Sequence, residues 1–289
     1  MAFTTRVKET LNACLRKFNL KIDTLTAERI ENERISCLSR KGIFDEPVYD
    51  LSPLLSEYDP YVLLDTLKYY QNRFSSFEDE GMNEVGYSFK NGYYTTPDAE
   101  VLYSMVRSNK PGLVIEIGSG NSTKIIRQAI VDEKISCKII SIDPHPRSDI
   151  DNLSDHIYRK RIEEVYLENH LIFDELKSND ILFIDSSHHI KVANDVVFLY
   201  NLIIPHLSPG VVIHMHDIYL PYEYPLYLVK KGWRFVEQYL LHALLTQNMN
   251  FRILWAGYYT YRTLGDFDRF FPSNKEHLPA LSFWMRKIT

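Results

Sequence analysis

The 289-residue chain has only three cysteines, Cys14, Cys37 and Cys137. They form no C-x-x-C pair and no zinc-ligand spacing, which argues against a disulfide framework or a structural zinc site. Reduced thiols in a cytoplasmic protein are the expectation. No stretch approaches the roughly 18 uninterrupted apolar residues of a membrane span. Met1 to Leu20 lacks the apolar core of a signal peptide. Excess positive charge is also missing. The net charge of −5 gives no general attraction to nucleic acid or to anionic lipid, so neither is an expected partner. No internal repeat or low-complexity tract is present. What remains is ordinary for a folded soluble chain, with 45% hydrophobic and 25% charged residues. Tyrosine is the exception, at 20 residues. Its flat body and polar tip suit a substrate cleft, a homo-oligomer interface or a half-buried surface, and composition does not choose among them.

The pattern along the chain divides it into a mainly helical N-terminal extension, 1–92, and a second domain, 93–289. The first 40 residues read as helix, with Val7, Leu11, Cys14, Leu15 and Phe18 on the helical period and Gly42 as a stop. Pro47, Pro53 and Pro60 punctuate a loop-rich passage, and a helix is expected over Tyr61–Phe74. Thr96 is placed to cap a further helix, with Pro97 at its first position and Asp98 and Glu100 at its positive end. Short apolar runs then alternate with helices. Strands are expected at Leu113–Ile117, Lys138–Ile142, Ile157–Lys160, Ile181–Ile184 and Val211–His216, and helices at Ser122–Ile130, Ile162–Phe173 and Lys191–Ile204. Near-continuous apolar strands separated by helices indicate a doubly wound α/β domain with a parallel sheet covered on both faces. Beyond Asp217 a helix at Glu237–Thr246 and a strand at Phe251–Trp255 are expected, and the last 25 residues give no clear reading.

The first strand runs into Glu116-Ile117-Gly118-Ser119-Gly120-Asn121-Ser122-Thr123. Ligands of doubly wound sheets bind at the carboxyl ends of the strands. Glycine permits a sharp turn and close ligand approach, and the helix that follows presents free N–H groups. The second strand ends at Asp143, where an acid can accept hydrogen bonds from both ribose hydroxyls of an adenosine cofactor. A dinucleotide site would want a third glycine at position 123, and threonine stands there. An NAD-linked oxidoreductase on the same fold is therefore the weaker alternative. Glu116 is expected to order the turn or to hold the cofactor's amino group through water.

VIEIGSGNSTKII followed by IISIDPHP resembles motifs I and II of class I S-adenosylmethionine-dependent methyltransferases. The resemblance runs from about Tyr93 to Trp255. TTPDAEVLYSMV, FIDSSHH, VVIHMHDIYLPYEYP and EQYLLHALL extend it to a bacterial subgroup related to macrocin-type sugar O-methyltransferases and cephalosporin-hydroxylase-like proteins. It implies a Rossmann-like methyltransferase sheet and S-adenosylmethionine as cofactor. Glu116, Gly118, Ser119, Gly120, Asn121, Ser122, Asp143 and Asp185 become the expected cofactor residues.

A second constellation lies at the fourth and fifth strand ends, Asp185-Ser186-Ser187-His188-His189 and His214-Met215-His216-Asp217. Asp185 and Asp217, with His216, are candidate ligands of a divalent metal that would orient a hydroxyl and lower its pKa. His188 is the candidate general base. The resemblance implies the same division, an Asp-x-x-His motif supplying a ligand and the base. It also implies two acids where His216-Asp217 stands. Imidazole shifts preference from magnesium toward transition metals, so both remain candidates. The expected acceptor is a small hydroxylated molecule such as a sugar or natural product. A non-catalytic cofactor-binding member of a biosynthetic complex is the remaining alternative.

Overall fold

The computed structural model describes residues 2–233 and 235–289. Its contacts separate two compact units, 1–46 and 47–289. The first holds α1 (Ala2–Leu15) and α2 (Thr26–Arg40). The Asn12 side chain ties their connection, donating to the Ile22 carbonyl and accepting from its N–H at 2.8 and 2.7 Å.

The second unit begins with α3 (Ser52–Leu55), α4 (Tyr61–Phe74) and α5 (Asp98–Asn109). There follow β1 (Leu113–Ile117), α6 (Asn121–Glu133), β2 (Lys138–Ile142), β3 (His156–Tyr158), α7 (Ile162–Asn169) and β4 (Ile181–Ile184). Then come α8 (Asp195–Phe198), β5 (Val212–Met215), α9 (Leu226–Lys230) and α10 (Glu237–Leu245). The unit closes with β6 (Phe251–Ala256), α11 (Gly257–Thr263) and β7 (Phe283–Lys287). The sheet order is β3-β2-β1-β4-β5-β7-β6. The first five strands of that order run parallel, and β7 is antiparallel to both β5 and β6. This is a doubly wound, Rossmann-like α/β fold. Among the described residues no helix is long and apolar enough to cross a membrane.

Strand alternation sorts the core into two layers. Leu113, Ile115 and Ile117 of β1 join Leu182, Ile184, Ile213 and Met215 against α7, α8 and α10. Val114 joins Ile139, Phe183 and Val212 against α4, α5 and α6. Leu63, Leu64, Leu67 and Phe74 of α4 are buried in that second layer. The same alternation aims Glu116 at Ser122 and Thr123 of α6, and His216 at Asp98 of α5.

Several expected element boundaries differ. Thr96 does not cap α5; its hydroxyl donates to Glu100 Oε1 at 2.8 Å, and the helix starts at Asp98. The helix expected from Lys191 starts at Asp195. Asp195 and Asn194 instead fasten the preceding loop, Asp195 accepting from the Ser187 N–H and hydroxyl. The stretch from Ile162 is α-helical only to Asn169 and continues as a 3-10 turn to Glu175. Strand β7 makes the sheet mixed, where a parallel one was expected.

Glu100 gives a pH test of this packing. It is fully buried, Oε2 has no partner among the described residues, and burial pushes its pKa up to about 8 against the Thr96 hydrogen bond. A carboxyl raised in the fold holds a proton that the unfolded chain releases near pH 4.5. Its contribution is therefore whole below that pH and is lost as pH rises toward 8. Glu100→Gln keeps the shape and removes the loss. Urea unfolding at pH 5.5 and 7.5 should show wild type losing up to about 1.4 kcal/mol per pH unit and the variant a flatter profile.

Candidate active site

Successive strand ends build one rim. The Gly118 N–H donates to the Ile142 carbonyl at 3.1 Å, that of Asp185 to Ile117 at 2.9 Å, and that of His216 to Ile184 at 3.1 Å. The ends of β1, β2, β4 and β5 are thus held level. Below the glycine turn lies a cavity of about 270 Å³ lined by Gly118, Ser119, Gly120, Asn121, Asp143 and Asp185, among others. Gly118 has φ +79°, and a Cβ there would stand 2.0 Å from the Asp185 carbonyl oxygen. Glycine is thus required where the turn crosses the end of β4.

Asp143 fixes the turn from the side. Its Oδ2 accepts from the Ser119 N–H and its Oδ1 from the His145 N–H, both at 2.8 Å. The Ser119 hydroxyl also donates to Oδ2, at 3.4 Å, and Oδ1 keeps capacity for a further hydrogen bond. Glu116 stands behind the turn, fully buried. Ser122 Oγ donates to Oε1 at 2.7 Å, and Thr123 Oγ1 and Ser141 Oγ donate to Oε2 at 2.6 and 3.0 Å. Burial still pushes it up to about 7. Of the two roles expected for Glu116, these contacts describe ordering of the turn. Thr123, in the third-glycine position, also accepts the Gly120 N–H at 3.0 Å. Its hydroxyl links turn to helix, which a glycine could not do.

The Asp-His cluster sits beside the cavity. His188 Nε2 lies 3.2 Å from Asp185 Oδ1 and 3.5 Å from Asp217 Oδ2. His188 Nδ1 is 2.8 Å from Glu237 Oε2, and Glu237 is 1% exposed. Burial opposes charge on His188, but bonds to Asp185 and Glu237 and the charge of Asp217 outweigh it and raise its pKa well above the ordinary value. Burial would raise Asp185, yet the bond to His188 and the charges of His216 and His188 hold it well below the usual carboxylate range. His216 Nδ1 stands 3.9 Å from Asp185 Oδ1 and 3.8 Å from Asp217 Oδ1. Its Nε2 faces Asp98 Oδ2 at 3.4 Å. Burial again opposes charge on His216, and Asp217, Asp98 and Asp185 together push it up to about 9.

His214 takes no part in this rim. It stacks on Phe183 with ring centroids 4.0 Å apart and packs on Trp284, and neither ring nitrogen has a partner among the described residues. Burial and the charge of His216 hold its pKa well below the ordinary value, so it is a neutral core side chain. The His189 ring packs on Phe235, with centroids 5.9 Å apart. Tyr219, Tyr222 and Tyr224 are buried among Phe235, Tyr239 and Tyr258, and of that segment Tyr227 is the exposed ring.

Sequence reasoning missed Asp98 and Glu237 as parts of this site. Both open helices and look like acids favoured by the helix dipole. Glu237→Gln should keep the fold and lower kcat by about tenfold with little change in KM, since an amide can still meet Nδ1 but no longer carries the charge that orients the ring. Steady-state kinetics on both variables checks this.

A family model described as a methyltransferase domain matches residues 115–218. The matched segment runs from within β1 to just past β5 and carries the glycine turn, Asp143 and the Asp-His cluster. No curated protein is similar enough to match it. Among solved structures, an O-methyltransferase from Bacillus cereus in complex with SAH is similar, at 14% identity over 83% of this chain and 95% of that one, with a TM-score of 0.45. So is the O-methyltransferase TomG from Streptomyces achromogenes, in complex with SAM, at 14% identity over 82% and 93%, with a TM-score of 0.43. A Mg-SAM structure of cmcI shares 16% identity over 72% and 81%, with a TM-score of 0.39.

Proposed function

We propose that the chain transfers the methyl group of S-adenosylmethionine to a hydroxyl of a small acceptor, such as a sugar or natural product. The observation that carries this is the cavity itself. A glycine turn, a helix N-terminus and Asp143 surround it, and a histidine–carboxylate cluster adjoins it. Asp143 suits the two ribose hydroxyls, and Asn121 at the first turn of α6 suits the donor's polar end. Bound there, S-adenosylmethionine supplies a sulfonium methyl that needs little covalent help from the protein.

The residues Asp185, His216 and Asp217 fit a divalent cation, because one donor atom from each lies within 4.8 Å of the others. Across a metal with bonds of about 2.1 Å, opposed donors stand about 4 Å apart. When bound, such a cation makes an acceptor hydroxyl more acidic and takes up negative charge that otherwise holds a proton on His188. His188 Nε2 points between Asp185 and Asp217 and is the atom that accepts the hydroxyl proton. Glu237 holds Nδ1 and fixes the ring. Phe235, whose ring centroid is 4.7 Å from that of His188, shields it from water.

Saturation-transfer NMR comparing S-adenosylhomocysteine with NAD tests the donor class. S-adenosylhomocysteine should give the signal, and Asp143→Ala should weaken its binding by about 100-fold or more, the worth of two charge-assisted hydrogen bonds at about 1.5 kcal/mol or more each. A signal from NAD in its place would overturn the reading.

A further inference from the structure

We infer that His216 makes the cation site a transition-metal site, ligating through Nδ1 while Asp98 on α5 holds the ring from behind. This rests on the reading above that Asp185, His216 and Asp217 hold a cation. The ring has one nitrogen on each side of a division. Nδ1 faces two carboxylate oxygens at 3.8 and 3.9 Å, and Nε2 faces Asp98 Oδ2 at 3.4 Å. His216 is 8% exposed, and Tyr94 lies against it with centroids 5.0 Å apart.

Asp98 is itself fixed. Its Oδ1 accepts from the Leu281 and Ser282 N–H groups at 3.1 and 2.9 Å, and its Oδ2 from Leu281 at 2.9 Å. Those residues lead into β7, so the carboxylate is tied to the strand next to β5. A carboxylate anchored by backbone donors and facing the rear nitrogen of a ligand histidine sets which tautomer is present. With the proton on Nε2, the Nδ1 lone pair is aimed at Asp185 and Asp217. Between Nδ1 and the two carboxylates there is a place for either a proton or a cation, and a bound cation takes the proton's place. Imidazole moves such a site from magnesium toward manganese, cobalt or zinc. Two carboxylates and one imidazole leave positions open for an acceptor oxygen.

The test uses the full chain, stripped with EDTA, and calorimetric titration with Mg²⁺, Mn²⁺ and Co²⁺, together with the visible absorption of bound Co²⁺. Wild type should bind Co²⁺ at least about tenfold more tightly than Mg²⁺. Asp98→Asn should weaken Co²⁺ by about 10–100-fold. Its melting temperature is read alongside, since the same carboxylate anchors Leu281 and Ser282. His216→Glu leaves that anchor alone and supplies an all-oxygen set, so it should narrow or reverse the Co²⁺ to Mg²⁺ ratio and change the Co²⁺ spectrum. Equal affinity of wild type for Mg²⁺ and Co²⁺, no binding of either, or an unchanged ratio in His216→Glu would overturn the inference. Asp98→Asn with full Co²⁺ affinity would overturn the part given to Asp98. S-adenosylhomocysteine binding, measured on the same stripped protein, separates this failure from failure of the methyltransferase reading.

Discussion

His188→Ala is expected to lower the turnover of methyl transfer by about 10²–10⁴-fold, the usual worth of a positioned general base. Donor affinity should stay within about twofold, because the His188 ring does not line the cavity under the glycine turn. The geometry behind this is specific. Nε2 sits 3.2 and 3.5 Å from Asp185 and Asp217, and Nδ1 is occupied by Glu237. One nitrogen is committed to orientation and the other faces the place where an acceptor oxygen would stand. Alanine removes both functions and leaves Glu237 buried without its partner, which adds a stability cost of about 1–3 kcal/mol. Turnover must therefore be compared at a temperature where both proteins are folded. If His188→Ala and Asp185→Ala both leave methyl transfer unchanged, the base and metal assignments fall together.

Gly118→Ala is expected to damage fold and binding at once. A Cβ at φ +79° costs about 1–2 kcal/mol in backbone strain alone. The methyl would also stand 2.0 Å from the Asp185 carbonyl oxygen, which is backbone held by the sheet and cannot swing aside. The turn or the end of β4 must move, and both line the cavity. A total loss of about 3 kcal/mol or more is the scale of such steric conflicts. The melting temperature should fall by several degrees, and S-adenosylhomocysteine affinity by about 100-fold or more. Gly232 supplies the control. Its φ is +80°, and a Cβ would meet nothing within 4 Å. Gly232→Ala should show the strain without the collision, a melting shift of about half that size or less and unchanged ligand binding.

Much of this architecture was legible before any coordinates. The bounds of β1, β2 and β4 agree with the apolar runs in the sequence, because buried parallel strands are continuous blocks of Val, Ile and Leu between turns. Strand β7 was not legible. Its sequence FWMRK carries two basic residues, and it becomes a strand by pairing with β5 and β6 from far along the chain. The histidines show the same limit. Period two puts His214 and His216 on one face, but it does not say that Phe183 and Trp284 enclose the first while the second reaches the rim. Asp98 and Glu237 carry ordinary helix-start signals, and only the packing of α5 and α10 turns them inward. Local pattern thus gave the frame and the residues contributed by strand ends. The carboxylates that orient the two histidines come from helices, and tertiary packing alone brings them in.

The central claim is that the cavity under Gly118 and beside Asp143 takes S-adenosylmethionine. Isothermal titration of the full chain with S-adenosylmethionine and with S-adenosylhomocysteine tests it most directly. The structure predicts saturable one-site binding in the micromolar range that Asp143→Ala weakens. No measurable heat at millimolar ligand, from a protein shown to be folded, would contradict it.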